Sequence, residues 1–322
     1  MVPSAPRSWF LSALALSATF ASAAAGAATY PLPEGTDTVL GEIQRVTAKY
    51  EDTFLELGRR YGVGYEEIVA ANPGVDPWLP GEGTEVVIPS RYILPDAPRE
   101  GIVVSLAEHR LYYFPPAKAG EPPTVSTYPV SVGRMDWKTP LGLTRIVDKR
   151  AKPIWYPPES VRREHAAEGR PLPRAVPPGP DNPLGQYAMR LAIPGGAYLI
   201  HGTNNPAGVG MQVTHGCIRM FPEDIERFFK VVAVNTPVRI IHQPYKMGWK
   251  GEDLYIEVHA PLEGAEGEHS LTQITRALVS ATQDRVVAID WAKAEQAFSQ
   301  ATGIPESVML GAPASQLVGS TP

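Results

Sequence analysis

The 322-residue chain has one cysteine, Cys217, so no internal disulfide can form. It has no excess of positive charge. Lys and Arg number 29 against 34 Asp and Glu, a formal net charge of −5 that argues against a nucleic-acid partner. Beyond the N-terminus it has no long uncharged apolar run, so no membrane span is expected in the rest of the chain. Turn formers, by contrast, are plentiful. The 34 prolines and 29 glycines favour a β-rich architecture over a helical bundle. The length fits two domains, or one domain with appendages.

Residues 1–28 read as a signal peptide. Arg7 precedes an uncharged run from Trp9, and Ala23-Ala24-Ala25 and Gly26-Ala27-Ala28 both offer small-x-small cleavage sites. The run is nearly long enough to span a bilayer, but its richness in Ala and Ser favours cleavage. No cysteine follows it, which excludes lipid attachment there. The expected mature protein is exported and soluble, and it does without disulfides in a compartment that permits them. Its one thiol is therefore either core filler or a reagent.

After a short polar linker, residues 44–89 form a small β-α-α-β unit. Asp52 or Thr53 can cap a helix with Phe54, Leu57 and Tyr61 on its apolar face, and Gly62 and Gly64 stop it. A second helix runs through Glu66, Ile68, Val69 and Ala71 to Asn72-Pro73-Gly74, and Val86-Val87-Ile88 reads as a strand. Residues 99–243 are mostly β. Strands are expected at Gly101–Leu106, Arg110–Phe114, Tyr128–Gly133, Leu143–Val147, Tyr187–Ile193, Ala197–Ile200 and Val238–Ile241, with a helix from Pro222 through Phe229. The proline-rich stretch from Lys152 to Gly185 is too long for a neutral connector and reads as a functional loop or lid. Residues 244–310 form an extension with one strand at Leu254–Val258. Helical spacing follows at Leu271, Ile274 and Leu278, and residues 311–322 read as a disordered tail.

The chemistry gathers around the cysteine. His201-Gly202 ends a strand, a Gly/Asn-rich loop follows, and Thr214-His215-Gly216-Cys217-Ile218-Arg219 returns the chain to the same edge. A free thiol is mostly protonated at neutral pH, and a nearby imidazole can take the proton. His201 and His215 are both candidates. Gly216 allows a backbone geometry that gathers N–H groups into an oxyanion hole, and Arg219 offers a fixed charge for a carboxylate. His201, His215 and Cys217 lack a fourth zinc ligand at a familiar spacing, so no metal and no cofactor are expected. His109, His165, His242, His259 and His269 are scattered and receive no role.

The run "HGTNNPAGVGMQVTHGCIRM" closely resembles the signature of the L,D-transpeptidase (YkuD) domain. The likeness extends over "LAEHRLYYF", "YPVSVGRMDWKTPLG", "IWYPPESVR" and "GPDNPLGQYAMRL". It implies a mostly-β, YkuD-type β-sandwich and a periplasmic enzyme. In that family a cysteine, here Cys217, takes the acyl group of a peptidoglycan stem tetrapeptide as a thioester and releases D-alanine. An amine then accepts the acyl group, giving a 3→3 cross-link or a bond to a Lys-terminated outer-membrane lipoprotein. The resemblance assigns the general base to His201, its orienting carbonyl to Gly202, oxyanion and support positions to His215 and Gly216, and substrate contacts to Arg219 and Thr214. Residues 44–89 resemble a LysM module, through Asp52-Thr53-Phe54, Tyr61-Gly62-Val63, Ile68, Asn72-Pro73 and Val87-Ile88-Pro89. That implies a hold on glycan strands, although Glu51 stands where the family usually has glycine. The rival readings are an L,D-carboxypeptidase, which passes the acyl group to water, and a non-catalytic wall-binding protein.

Overall fold

A computed structural model describes residues 28–195, 198–268 and 270–310. Most of the expected signal peptide, the expected disordered tail and His269 lie outside the described residues. Among the described residues no helix is long and apolar enough to cross a membrane.

The segment before residue 44 is not a free linker. Its first strand, β1 (Ala28–Pro31), pairs antiparallel with a strand of the main sheet, and β2 (Val39–Gly41) pairs with β5 (Arg91–Ile93). Tyr30, Leu32 and Leu40 explain this, because they pack against Tyr112, Phe114 and Val125 and cover one face of that sheet. Between them lies the small unit of β3 (Gln44–Thr47), α1 (Phe54–Tyr61), α2 (Tyr65–Ala70) and β4 (Glu85–Ile88). Thr53 caps α1 in a capping box with Glu56, and Gly62 ends the helix in the left-handed region at φ 68°. The buried Asn72 side chain donates to the Ile68 and Val87 carbonyls and accepts from the Val87 N–H, fastening α2 to β4.

The body is mostly β, as expected of a YkuD-type fold, and its main sheet has nine strands and curls on itself. Its strands run in the order β1-β8-β7-β6-β15-β10-β11-β12-β14. They are β6 (Gly101–Ser105), β7 (Arg110–Phe114), β8 (Thr124–Pro129), β10 (Gly142–Ala151), β11 (Tyr187–Leu191), β12 (Leu199–His201), β14 (Ile218–Arg219) and β15 (Pro237–Ile241). Two short strands, β9 (Val132–Gly133) and β13 (Gln212–Thr214), pair separately. The sheet curls around one core with α4 (Pro222–Val231), so Ile102, Leu111, Ile146, Met189, Ile200 and Phe228 meet in a single cluster. Strands β6 and β7 are covered on both faces, which is why their sequences are nearly continuous apolar runs.

The C-terminal extension is not simply helical. A sheet of β16 (Tyr245–Lys250), β17 (Asp253–Val258) and β18 (Glu306–Ser307) packs on α5 (Leu271–Ala281) and α6 (Trp291–Gln300), with Leu254, Ile256, Ile274 and Leu278 at its centre. A buried charge cluster ties it to the body. The Lys246 ammonium lies 2.8 Å from Glu108 and 2.7 Å from Glu257, and His259 bonds Glu257 at 2.7 Å. Glu108, Glu257 and His259 converge closely, and Lys246 supplies the positive charge between the two carboxylates.

The small N-terminal unit docks firmly on the body. Arg110, fully buried, bonds Glu67 through Nε and Nη2 at 2.7 Å each, donates to the Gly62 carbonyl, and stacks over the Tyr92 ring. Arg59 forms a second bidentate pair with Glu223. The start of α2 also touches the loop between His201 and Thr214. Tyr65 and Glu66 N–H groups donate to the Val209 and Gly210 carbonyls, and the Gln212 N–H donates to Glu66.

Candidate active site

Strand register brings the chemistry together. Strand β12 runs parallel to β14, with Ile200 opposite Ile218 and His201 opposite Arg219. Ile200 and Ile218 are fully buried in the core, so alternation turns His201 and Arg219 to the other face. Cys217, two residues before Arg219, shares that face, and its thiol takes a backbone hydrogen bond at Leu199. His201 and Cys217 are thus diagonal neighbours on adjacent strands, a placement that long side chains bridge. Cys217, His201 and Arg219 all line one cavity of about 720 Å³.

His201 is buried, and its Nδ1–H donates to the Gly202 carbonyl at 2.6 Å. A carbonyl only accepts, so the proton sits on Nδ1 and Nε2 keeps its lone pair. Burial, then the Arg219 charge, push the imidazole pKa down to about 3. Cys217 is partly open to the cavity, but the groups packed around its sulfur push the thiol up to about 11. Both the imidazole and the thiol are therefore neutral at pH 7. Burial disfavours both members of a thiolate–imidazolium pair.

Gly216 is required twice over. Its φ is +92°, and a Cβ there would stand 2.9 Å from the Tyr198 ring. Its carbonyl accepts from Thr139, and among the described residues its N–H donates to no other group. The Arg219 Nε is likewise buried without a hydrogen-bond partner among the described residues, a donor waiting for an anion.

Thr214 and His215 line the same cavity, each with a partner of its own. Thr214, expected to contact substrate, is buried and donates its hydroxyl to the Cys217 carbonyl at 2.6 Å. It closes the turn that presents the thiol. His215 stands on the cavity wall: its Nε2 lies 2.9 Å from Glu164 and its ring meets Trp137 edge-on. Glu164 sits on α3 (Glu159–Ala167), inside the expected lid, and also pairs with Arg134. Those two partners, Arg134 first, hold its carboxyl down at about 2. The Lys152–Gly185 segment is thus a built wall of the cavity. Its base is closed by the buried Asn182, which donates to the Pro153, Val176 and Pro177 carbonyls.

Sequence reasoning missed Trp137, Asp148 and Arg190, which line the cavity from distant segments, and Glu164, which bonds His215. A smaller cavity of about 280 Å³ lies at the seam of the N-terminal unit, body and extension, away from Cys217.

Residues 99–240 match the family model described as the L,D-transpeptidase catalytic domain, YkuD. Over 267 residues the chain is 42% identical to "Probable L,D-transpeptidase YcfS" of Escherichia coli (strain K12), covering 80% of this chain and 82% of that protein. It is 37% identical to "Probable L,D-transpeptidase ErfK/SrfK" of the same organism, over 91% and 94% of the two chains. It is 38% identical to "Probable L,D-transpeptidase YbiS", over 87% and 92%. The chain belongs to the YkuD L,D-transpeptidase family.

Proposed function

We propose that Cys217 is the nucleophile of an L,D-transpeptidation on peptidoglycan stem tetrapeptides. The observation that carries this is the juxtaposition of Cys217, His201 and Arg219 on one sheet face inside the larger cavity. The sulfur attacks the carbonyl joining the third stem residue, a diamino acid, to the terminal D-alanine. As the S–C bond forms, the thiol proton passes to His201 Nε2. The Gly216 N–H is placed for the developing oxyanion. The C–N bond then breaks, D-alanine takes the proton from His201, and a thioester remains. An acceptor amine attacks the thioester, losing its proton through His201, and the sulfur departs as a thiol. Gly202 holds the imidazole tautomer throughout, and Arg219 binds a substrate carboxylate.

A stem amine as acceptor yields a 3→3 cross-link, and a terminal lysine yields an attached lipoprotein. In this reading residues 44–89 act as a LysM module on the glycan strands, and residues 1–28 export the enzyme to the periplasm. Purified disaccharide-tetrapeptide with mass-spectrometric product analysis tests it. A cross-linked dimer with free D-alanine is expected. Tripeptide alone would indicate an L,D-carboxypeptidase, and unchanged substrate a wall-binding protein without catalysis.

A further inference from the structure

Two histidines without a part in the acyl transfer meet at the smaller cavity. His109, in the turn between β6 and β7, and His259, just after β17, both line it, and they lie close enough for charge on His259 to act on His109. The charged walls are one-sided. Glu66, Glu67, Glu108 and Glu263 stand with the two imidazoles, and no lysine or arginine is among the lining residues. Arg110 pairs with Glu67. Lys246 reaches Glu108 Oε2, Glu257 Oε1 and the Ile93 carbonyl, which occupies its three donors. The only ion-pair partner of Glu66 among the described residues is His109, whose Nδ1 lies 3.5 Å from its Oε2.

Two acceptor atoms at this wall receive no hydrogen bond. Glu108 Oε1 and His109 Nε2 are buried without a partner among the described residues, on residues 1% and 5% exposed. Burial holds the His109 imidazole below its ordinary pKa, so the ring is neutral at pH 7. With Nδ1–H toward Glu66, Nε2 is a bare lone pair. His259 is arranged in the same way. Its Nε2 lies 2.7 Å from Glu257, and its other edge faces Gly303, where a Cβ would stand 3.1 Å from Nδ1. His109 also holds φ +52°, and Ala301 on the same wall φ +46°, a left-handed conformation that gathers at ligand sites.

We propose that the cavity at this seam binds one divalent transition-metal cation of the zinc class through His109 Nε2, Glu108 Oε1 and His259 Nδ1, with water completing the coordination. Two imidazoles and one carboxylate form a donor set that suits zinc and is poor for magnesium or calcium, which take oxygen. A histidine that binds metal gives its other ring N–H to a carboxylate, which fixes the ring and raises its basicity. Glu257 does this for His259, and Glu66 for His109. The excess of carboxylates around the cavity offsets the ion's charge, including its approach to Lys246. The ion joins the parts of the molecule, because Glu108 and His109 belong to the body, His259 to the extension and Glu66 to the N-terminal unit. Glu66 Oε1 also accepts the Gln212 N–H, so the same carboxylate links the ion to the strand that leads into Thr214.

The test uses the full chain carrying Cys217→Ala, which removes its only thiol as a zinc ligand, after dialysis against a chelator. Calorimetric titration with Zn2+ should find one ion per chain. Zinc in about 100-fold excess over its Kd should raise the melting temperature by roughly 5 °C. Mg2+ should bind far more weakly. In the same background His109→Asn, which tolerates the left-handed backbone, should lower zinc affinity at least about 100-fold, and Glu66→Gln about 10-fold. X-ray absorption at the zinc edge should show imidazole ligands in the Cys217→Ala protein, a readout that needs no variant at the seam. Failure of that protein to bind zinc, affinity unchanged in His109→Asn, a preference for Mg2+, or absorption without imidazole scattering would each overturn the inference. None of these outcomes touches the acyl-donor reading, which rests on Cys217 and its own cavity.

Discussion

The neutral state of the Cys217–His201 pair predicts how the thiol behaves without substrate. Burial lifts its pKa from an ordinary 9.0 to about 11, two units, so the thiolate at pH 7 is about 10²-fold scarcer than for an unburied cysteine. Alkylation by iodoacetamide, followed by intact mass, should be slower than for a free cysteine peptide by about that factor. It should rise roughly tenfold per pH unit with no plateau before about pH 10. His201→Ala should leave this profile nearly unchanged, because burial sets the thiol's pKa. The same substitution should slow acylation by the stem peptide at least about 10²-fold, since it removes the acceptor for the thiol proton. An alkylation step near pH 5–7 that disappears in His201→Ala would refute the reasoning, as it would reveal a resting thiolate–imidazolium pair. The same shifts bear on stability. The raised thiol pKa gives stability that is complete below about pH 9 and is lost as pH rises toward 11. The depressed His201 pKa gives stability that is present above pH 6.5 and is lost as pH falls toward 3.

Three substitutions probe what holds the site. Glu164→Gln should free His215 and Arg134 together, slowing acylation by the bulky stem peptide about tenfold through misplacement of the cavity wall, while alkylation by the small iodoacetamide stays at the wild-type rate. Gly210→Val places a Cβ 2.3 Å from the Gly64 Cα at φ +85°. It should cost about 2–3 kcal/mol in chemical denaturation and lower turnover, and a neutral result would show that this seam yields freely. Arg110→Met should cost about 3–5 kcal/mol by stranding the nearly buried Glu67, and adding Glu67→Gln should restore most of the loss; a single-mutant cost below about 1 kcal/mol would mean the pair is solvated.

The sequence made local features legible. The Arg110–Phe114 strand matches the structure residue for residue, and the Pro222 helix start and the Thr53 cap lie where the residues place them, since each depends on near neighbours. The order His201-Gly202 to Cys217-Arg219 marked one edge of the cavity, because parallel pairing of two short strands sets those side chains together. What stayed hidden depends on distance along the chain. Glu164 reaches His215 across 51 residues, and Asp148 meets Arg190 only through sheet register. No local spacing announces such a meeting. The segment between residue 28 and residue 44 read as a polar linker, yet the scattered Tyr30, Leu32 and Leu40 find their apolar partners only once the sheet exists. The bond from the Thr214 hydroxyl to the Cys217 carbonyl was likewise hidden, since a tight turn and not residue spacing sets it.

The central claim is that Cys217 carries the acyl group. The most direct test mixes the enzyme with disaccharide-tetrapeptide, quenches in acid, and weighs the intact protein and its Cys217-containing peptide. The account predicts a single adduct equal in mass to the donor less D-alanine, located on Cys217 and absent from Cys217→Ala. An adduct that survives Cys217→Ala, or turnover by that variant, would contradict it.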